Sequence, residues 1–126
     1  MKRLYIAAGL LLLLLAASLV NAWYARTITE DMGEQLRQAQ AMAEREDWSG
    51  AEALTRQVYE EWQERHFYFH TLMRHSDTDQ VLRAFRQVLE YLRLREPDQY
   101  NAANADLVAQ LELLGEMEQA AVVNVL

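Results

Sequence analysis

The sequence has 126 residues, 52% of them hydrophobic and 25% charged, with one Pro, four Gly and no Cys, and its net charge is −7. This length suffices for one domain at most, and so much apolar content with so little Pro and Gly excludes a disordered chain and a loop-rich β fold. The lack of Cys excludes disulfide scaffolds, thiol nucleophiles and cysteine metal sites, and the negative charge disfavours a nucleic-acid partner.

The first predicted element is an apolar helix close to the N-terminus. Two basic residues precede an uncharged run from Leu4 to Val20 that contains six consecutive leucines. As a helix this run would be about 25 Å long, or about 28 Å if it continues to Ala22, close to the roughly 30 Å of a bilayer's hydrocarbon core. Trp23 and Tyr24 follow at the position of interfacial aromatic residues. The run therefore predicts a membrane span.

The orientation of this span follows from its basic start, which places the N-terminus in the cytoplasm and the rest of the chain outside. We predict a single-pass protein of the cell membrane, with a signal anchor over residues 1–26 and an extracytoplasmic helical domain over residues 27–126. A cleaved signal peptide is the alternative, because Val20-Asn21-Ala22 satisfies the small-residue rule for cleavage after Ala22. Against cleavage, the apolar run is long for a signal peptide, and helix-forming sequence continues past the site.

The exported part is strongly acidic. From Thr27 onward it has 9 basic and 19 acidic residues, because three of the 12 basic residues precede Thr27. A solvated acidic helix surface accounts for this excess and would hold the domain away from anionic lipids. Binding of a basic partner, or buffering of metal ions, is the alternative.

Apolar residues at helical spacing predict four helices after the span, with no competing strand-like alternation. Ser76 or Asp77 can cap the third of these helices, and Pro97 suits the first turn of the fourth. The predicted helices are Thr27–Asp47, Ser49–His75, Thr78–Arg95 and Pro97–Glu118, with an apolar tail at Ala120–Leu126.

The predicted fold is all-α. Each apolar stripe is too weak to hold a helix alone, so the helices must bury these stripes against one another, and short connections favour antiparallel neighbours. We therefore predict an N-terminal transmembrane helix followed by an antiparallel bundle of about four helices, arranged as two helical hairpins. The first helix can continue directly from the anchor, which would set the bundle upright on the membrane.

The turn of the first hairpin resembles the inter-helix turn of a tetratricopeptide repeat. Ala43, Asp47-Trp48, Ala51 and Leu54 supply its pattern, in which an aromatic residue wedges between two helices and a small residue allows close contact. Such repeats bind peptides when about three stand in tandem, and no second copy occurs near a 34-residue spacing. The turn therefore predicts an ordinary helical hairpin, with a solitary peptide-binding groove as the alternative.

Three histidines, His66, His70 and His75, lie in one stretch. His66 and His70 are four residues apart, so both rings would project from one face of a helix, and Asp77 and Asp79 could complete a metal shell. The Glu-x-x-His pairs of di-iron bundles and the His-Glu pair of zincins are missing. We therefore predict no bound metal, since packing beside aromatic residues explains the same histidines. A metal- or pH-sensing bundle is kept as the alternative function.

No pattern in the sequence indicates an enzyme. One of the three serines, Ser18, lies in the membrane run, and the other two, Ser49 and Ser76, lie at helix starts. A Gly-rich phosphate loop and a nucleophile elbow are both missing. We predict a non-enzymatic protein without a cofactor; an extracytoplasmic hydrolase would need a polar pocket assembled in space.

The sequence combines its basic start and leucine-rich span with a few further positions, namely Trp62 followed by His66, the segment Leu72-Met73-Arg74-His75-Ser76-Asp77-Thr78-Asp79, and Asn124-Val125-Leu126. This combination resembles an uncharacterised family of single-span proteins from clostridia-type Gram-positive bacteria, domain of unknown function four-three-six-three. The resemblance runs the whole length and implies a membrane-anchored helical domain with no established activity. It also implies gene neighbours that encode YetF-type multi-pass membrane proteins or sporulation membrane proteins, and hence an accessory role.

The leading hypothesis is an interaction or accessory protein that presents an acidic helical bundle outside the cytoplasmic membrane to a membrane partner. The interaction candidates are Trp48, Trp62, His66, His75, Asp77 and Asp79.

Overall fold

The described parts of the chain are helical. The computed structural model describes the backbone of residues 1–72 and 75–125 and the side chains of residues 1–65 and 78–117. Within these ranges four helices follow one another, and the all-α prediction is confirmed. The helices are α1 (Lys2–Glu44), α2 (Trp48–Leu72), α3 (His75–Leu94) and α4 (Pro97–Val125).

The helix α1 is unbroken from the apolar run into the bundle. The leucines of the run are exposed on nearly all sides, whereas from Ala22 onward every third or fourth residue of α1 is buried. Among the described residues, α1 is the one helix long and apolar enough to cross a membrane. The predicted continuity of the apolar run with the first bundle helix is therefore confirmed.

The helices form an antiparallel bundle in which each packs on two neighbours. α1 lies between α2 and α4, α3 lies between the same two helices on the opposite side, and the α1–α4 contact is the most extensive. The apolar spacing of each helix places one stripe in the shared core. The largest fully buried side chains are Trp62, Tyr100, Phe85, Met32, Leu36, Leu92, Leu107 and Leu111.

The turn between α1 and α2 is closed by capping at both helix ends. Glu46 adopts a left-handed φ of 64°, and the N–H groups of Glu46 and Asp47 donate to the carbonyls of Ala43 and Met42, the pattern of a Schellman motif. The Asp47 carboxylate then accepts a hydrogen bond of 3.0 Å from the Gly50 N–H and caps α2. These bonds give the reversal of direction that the sequence predicts near Asp47.

Two boundaries differ from prediction. α3 begins at His75, so Ser76 and Asp77 lie inside its first turn rather than ahead of it. α4 does not end near Glu118 but continues through Gly115 to Val125. Gly115 faces α1, where a Cβ atom would lie only 2.7 Å from the Thr29 hydroxyl oxygen and 3.6 Å from the Arg26 Cα. The glycine is therefore present because the two helices touch there, and it does not end the helix.

This contact makes a testable prediction about Gly115→Ala. The added methyl group displaces Thr29, whose hydroxyl donates a 3.0 Å hydrogen bond to the Arg26 carbonyl. We expect a loss of about 1–2 kcal/mol in the free energy of unfolding, because overpacking costs about 1–3 kcal/mol and the helix gains up to about 1 kcal/mol from alanine. In a Thr29→Ala background the same change should be neutral or stabilising, as measured by denaturant titration in detergent.

The matched control is Gly33→Ala on the same interface. A Cβ atom at Gly33 would meet the Val108 Cγ1 atom at an ordinary 3.6 Å, so this variant should be as stable as the wild type or more so. Equal effects of Gly115→Ala in the two Thr29 backgrounds would show that the helices do not meet there.

Candidate interaction surface

A buried amide fixes how α4 lies on α1. Asn104 is fully buried, and its Nδ2 group donates hydrogen bonds of 3.1 Å to the Leu36 carbonyl and 3.0 Å to the Gln40 Oε1 atom. These bonds can form in one register only, and a buried polar group that loses its partners costs about 1–3 kcal/mol. Asn104 therefore sets the relative position of the two helices.

An open groove of about 460 Å³ runs along this pair of helices. Ala41 of α1 and Ala105 and Ala109 of α4 form its exposed apolar floor beside the buried Val108. The ion pair between Arg37 of α1 and Glu112 of α4 spans the rim of the groove. Gln40 and Glu44 of α1 also line the groove. The small side chains of the floor leave room for another backbone to approach closely.

The floor belongs to a second apolar stripe on α4, opposite to the stripe that faces the core. Its members are exposed, and Leu113 remains 53% and Met117 38% accessible to solvent. Exposed carboxylates of Asp106, Glu112 and Glu116 lie beside these residues, so the stripe is narrow and bordered by negative charge. The residues of this outer stripe are Ala102, Ala105, Ala109, Leu113 and Met117. Their spacing of three, four, four and four is visible in the sequence, but the sequence analysis did not identify the stripe.

The aromatic candidates take part in packing within the bundle. Trp62 is fully buried, with its ring centroid 6.4 Å from that of Phe85. Trp48 is half-buried at the start of α2 and packs edge-on against Tyr100 at 6.2 Å. Trp48 and the fully buried Ala51 thus occupy the wedge and close-contact positions of the tetratricopeptide-like turn.

The remaining candidates are the histidine cluster and its neighbouring carboxylates. Asp79 is exposed near the start of α3. The side chains of His66, His70, His75 and Asp77 lie outside the described residues, so the sensing hypothesis stays a prediction. Among the side chains that the structure does describe, no group of three or more His, Asp or Glu could hold a metal ion.

Tyr100 is a buried titratable group at the end of the bundle near the α1–α2 turn. Its hydroxyl has no hydrogen-bond partner among the described residues. Burial raises the pKa of the phenol from 10 to about 12, and the charge of Glu44 adds to the rise. The folded protein therefore strongly favours the neutral phenol.

This pKa predicts the alkaline stability of a Tyr100→Phe variant. The pKa of Tyr100 is higher in the folded than in the unfolded protein. Its contribution to the free energy of unfolding is therefore fully present below about pH 10 and is lost as the pH rises to about 12. Removing an unpartnered buried hydroxyl should leave neutral stability unchanged or raise it by about 1 kcal/mol. Melting curves should then show the wild type losing stability relative to Tyr100→Phe above about pH 10. A constant difference across this range would contradict the assignment.

Comparison with known proteins identifies the family. The family model described as Domain of unknown function (DUF4363) matches residues 20–125, which is most of the chain, so the protein belongs to this family. No curated protein matches the chain, and no solved structure does. The match covers the whole bundle and confirms the family resemblance found in the sequence.

Proposed function

We propose that this protein is a membrane-anchored, non-enzymatic interaction protein that holds an acidic helical bundle outside the cytoplasmic membrane and binds a membrane partner through the groove between α1 and α4. The observation that carries the proposal is the unbroken α1 helix, which joins an exposed apolar span to the bundle core. A helix without a hinge fixes the height and the orientation of the bundle above the membrane.

The buried state of Ala22 and Ala25 supports a retained anchor over a cleaved signal peptide. Ala22 is 6% and Ala25 1% accessible, and both lie in the middle of α1. Cleavage after Ala22 would cut inside a packed helix and leave the first buried turn of α1 without its N-terminal continuation. The basic residues before the span support a cytoplasmic N-terminus and an external bundle.

The groove supports the interaction role. Its alanine floor and the exposed apolar stripe of α4 offer a surface on which a helix of a partner can pack, with Arg37, Glu44 and Glu112 at the rim to orient it. The stripe runs along α4 towards the side of the apolar span, so a partner embedded in the same membrane can reach it. A YetF-type multi-pass protein is the candidate that the family resemblance suggests.

The groove assignment is tested by Ala109→Arg, which places a long charged side chain on the exposed floor. We expect the wild-type protein to co-purify with a partner in mild detergent and the variant to lose at least about tenfold in affinity, equivalent to ~1.4 kcal/mol. The matched control is Ala53→Arg, because Ala53 is an exposed alanine on α2 that does not line the groove.

Two results would contradict the proposal. One is recovery of the wild-type protein as a partner-free monomer in several mild detergents. The other is equal partner recovery with Ala109→Arg and Ala53→Arg, which would place the binding surface elsewhere.

A further inference from the structure

The end of α4 lies beside the apolar span of α1. The two helices are antiparallel, and Gly115 of α4 meets Arg26 and Thr29 of α1. Both helices advance about 1.5 Å per residue, so each step along α4 beyond Gly115 corresponds to one step back along α1. α4 continues to Val125, ten residues past Gly115. Its last turns therefore lie level with α1 residues between Tyr24 and about residue 18.

Charged residues end at the same level on both helices. On α1, Arg26 is the charged residue next to the uncharged stretch. On α4, the charged residue nearest the C-terminal end is Glu118. The Gly115 contact places Glu118 level with residues 23–26 of α1. Beyond Glu118 the sequence of α4 becomes apolar from Ala120, as that of α1 does below Tyr24.

A third helix, α2, passes the level of Tyr24. The Arg65 guanidinium of α2 donates a 2.9 Å hydrogen bond to the Tyr24 hydroxyl and lies 5.9 Å from the centre of its ring. After Arg65, α2 continues to Leu72 without Asp, Glu, Lys or Arg. Exposed Trp23 and Tyr24 mark the same plane on α1, and aromatic residues with a basic partner are typical of the membrane interface.

We propose that the last two turns of α4, from Ala120 onward, insert into the lipid interface next to α1, so that the bundle contacts the bilayer at a second place besides its anchor. The ligand is the lipid surface itself, at the depth of the headgroups and upper acyl chains. This inference rests on the proposed anchoring by α1. On α1 and α4 the carboxylates lie on the far side of the plane marked by Trp23 and Tyr24, so on these two helices no carboxylate has to enter the lipid.

The test uses the full-length protein in vesicles of phosphatidylcholine and phosphatidylglycerol. The natural chain has no Cys, so a nitroxide on one introduced cysteine reports one position. Labels are placed in turn at residues 120–123, which cover all sides of the helix. Collisions with oxygen, which concentrates in lipid, are compared with collisions with a water-soluble nickel chelate. Circular dichroism checks that each labelled protein remains helical.

Two reference positions separate failure of the inference from failure of the anchor. Leu12→Cys reports the span, and Leu94→Cys reports an exposed leucine at the opposite end of the bundle. We expect oxygen collisions to dominate at Leu12 and at one or more of residues 120–123, and nickel collisions to dominate at Leu94.

Three results would overturn the inference. If all four α4 labels behave like Leu94 while Leu12 faces lipid, α4 stays in water and the anchor stands. If all four are shielded from both reagents, protein rather than lipid covers the end of α4. If Leu12 itself reports water, the anchoring on which the inference depends is wrong as well.

Discussion

Replacing Leu12 and Leu13 together by arginine is expected to remove the protein from the membrane. Both side chains are about two-thirds exposed on the apolar part of α1, so neither contributes to the bundle core. A charged residue near the bilayer centre costs roughly 2.5–3.5 kcal/mol by insertion scales, and two should make the span unable to insert. Cell fractionation with alkaline extraction should move the protein from the pellet to the soluble fraction.

The control for this pair is Leu94→Arg combined with Leu113→Arg. Both residues are exposed leucines of the bundle, outside the span, so the control should stay in the membrane pellet. Retention of the Leu12 and Leu13 variant in the pellet would show that the protein is held there by something other than its span.

Replacing Phe85 by alanine is expected to destabilise the bundle more than Gly115→Ala or Tyr100→Phe does. Phe85 is fully buried on α3, where its ring packs 5.6 Å from Tyr59 and 6.4 Å from Trp62, both on α2. Truncating a buried phenylalanine costs about 3–5 kcal/mol, a large share of the 5–15 kcal/mol typical of a domain. Chemical denaturation in detergent, followed by circular dichroism, measures this loss.

Leu113→Ala is the control for Phe85→Ala, because Leu113 is half-exposed on the outer stripe of α4. Its effect should stay within about 0.5 kcal/mol. Similar losses in the two variants would contradict the assignment of Phe85 to the core and of Leu113 to the surface.

Local patterns in the sequence are enough to predict the helices. Val81, Phe85, Val88 and Leu92 repeat at the helical period, and all four are buried. The polar residues around Asp47 likewise predict the first turn, because capping depends on residues close in sequence. Helices and turns that depend on neighbouring residues can therefore be predicted without a structure.

The relative placement of the helices cannot be predicted in this way. Gly115 alone suggests a weak helix end, whereas its role depends on Thr29, a residue far away in sequence. The hydrogen bonds of Asn104 to Leu36 and Gln40 are equally non-local. The apolar groove results from this placement, because its floor combines Ala41 of α1 with Ala105 and Ala109 of α4.

The outer stripe of α4 was missed for a different reason. Alanines are poor markers of a binding face, because they are common in helices whether or not they are buried. Only their exposure in the bundle, together with that of Leu113 and Met117, shows that α4 carries a second, narrow apolar stripe on its outer side. A search for two stripes on one helix would have found it.

The central claim is that α1 carries the bundle on a retained membrane span. The intact mass of the mature polypeptide, measured both in the membrane fraction and in the medium, tests this claim most directly. We expect a polypeptide that keeps the leucine run from Leu10 to Leu15. Recovery of a mature chain that begins at Trp23, free of the membrane, would contradict it.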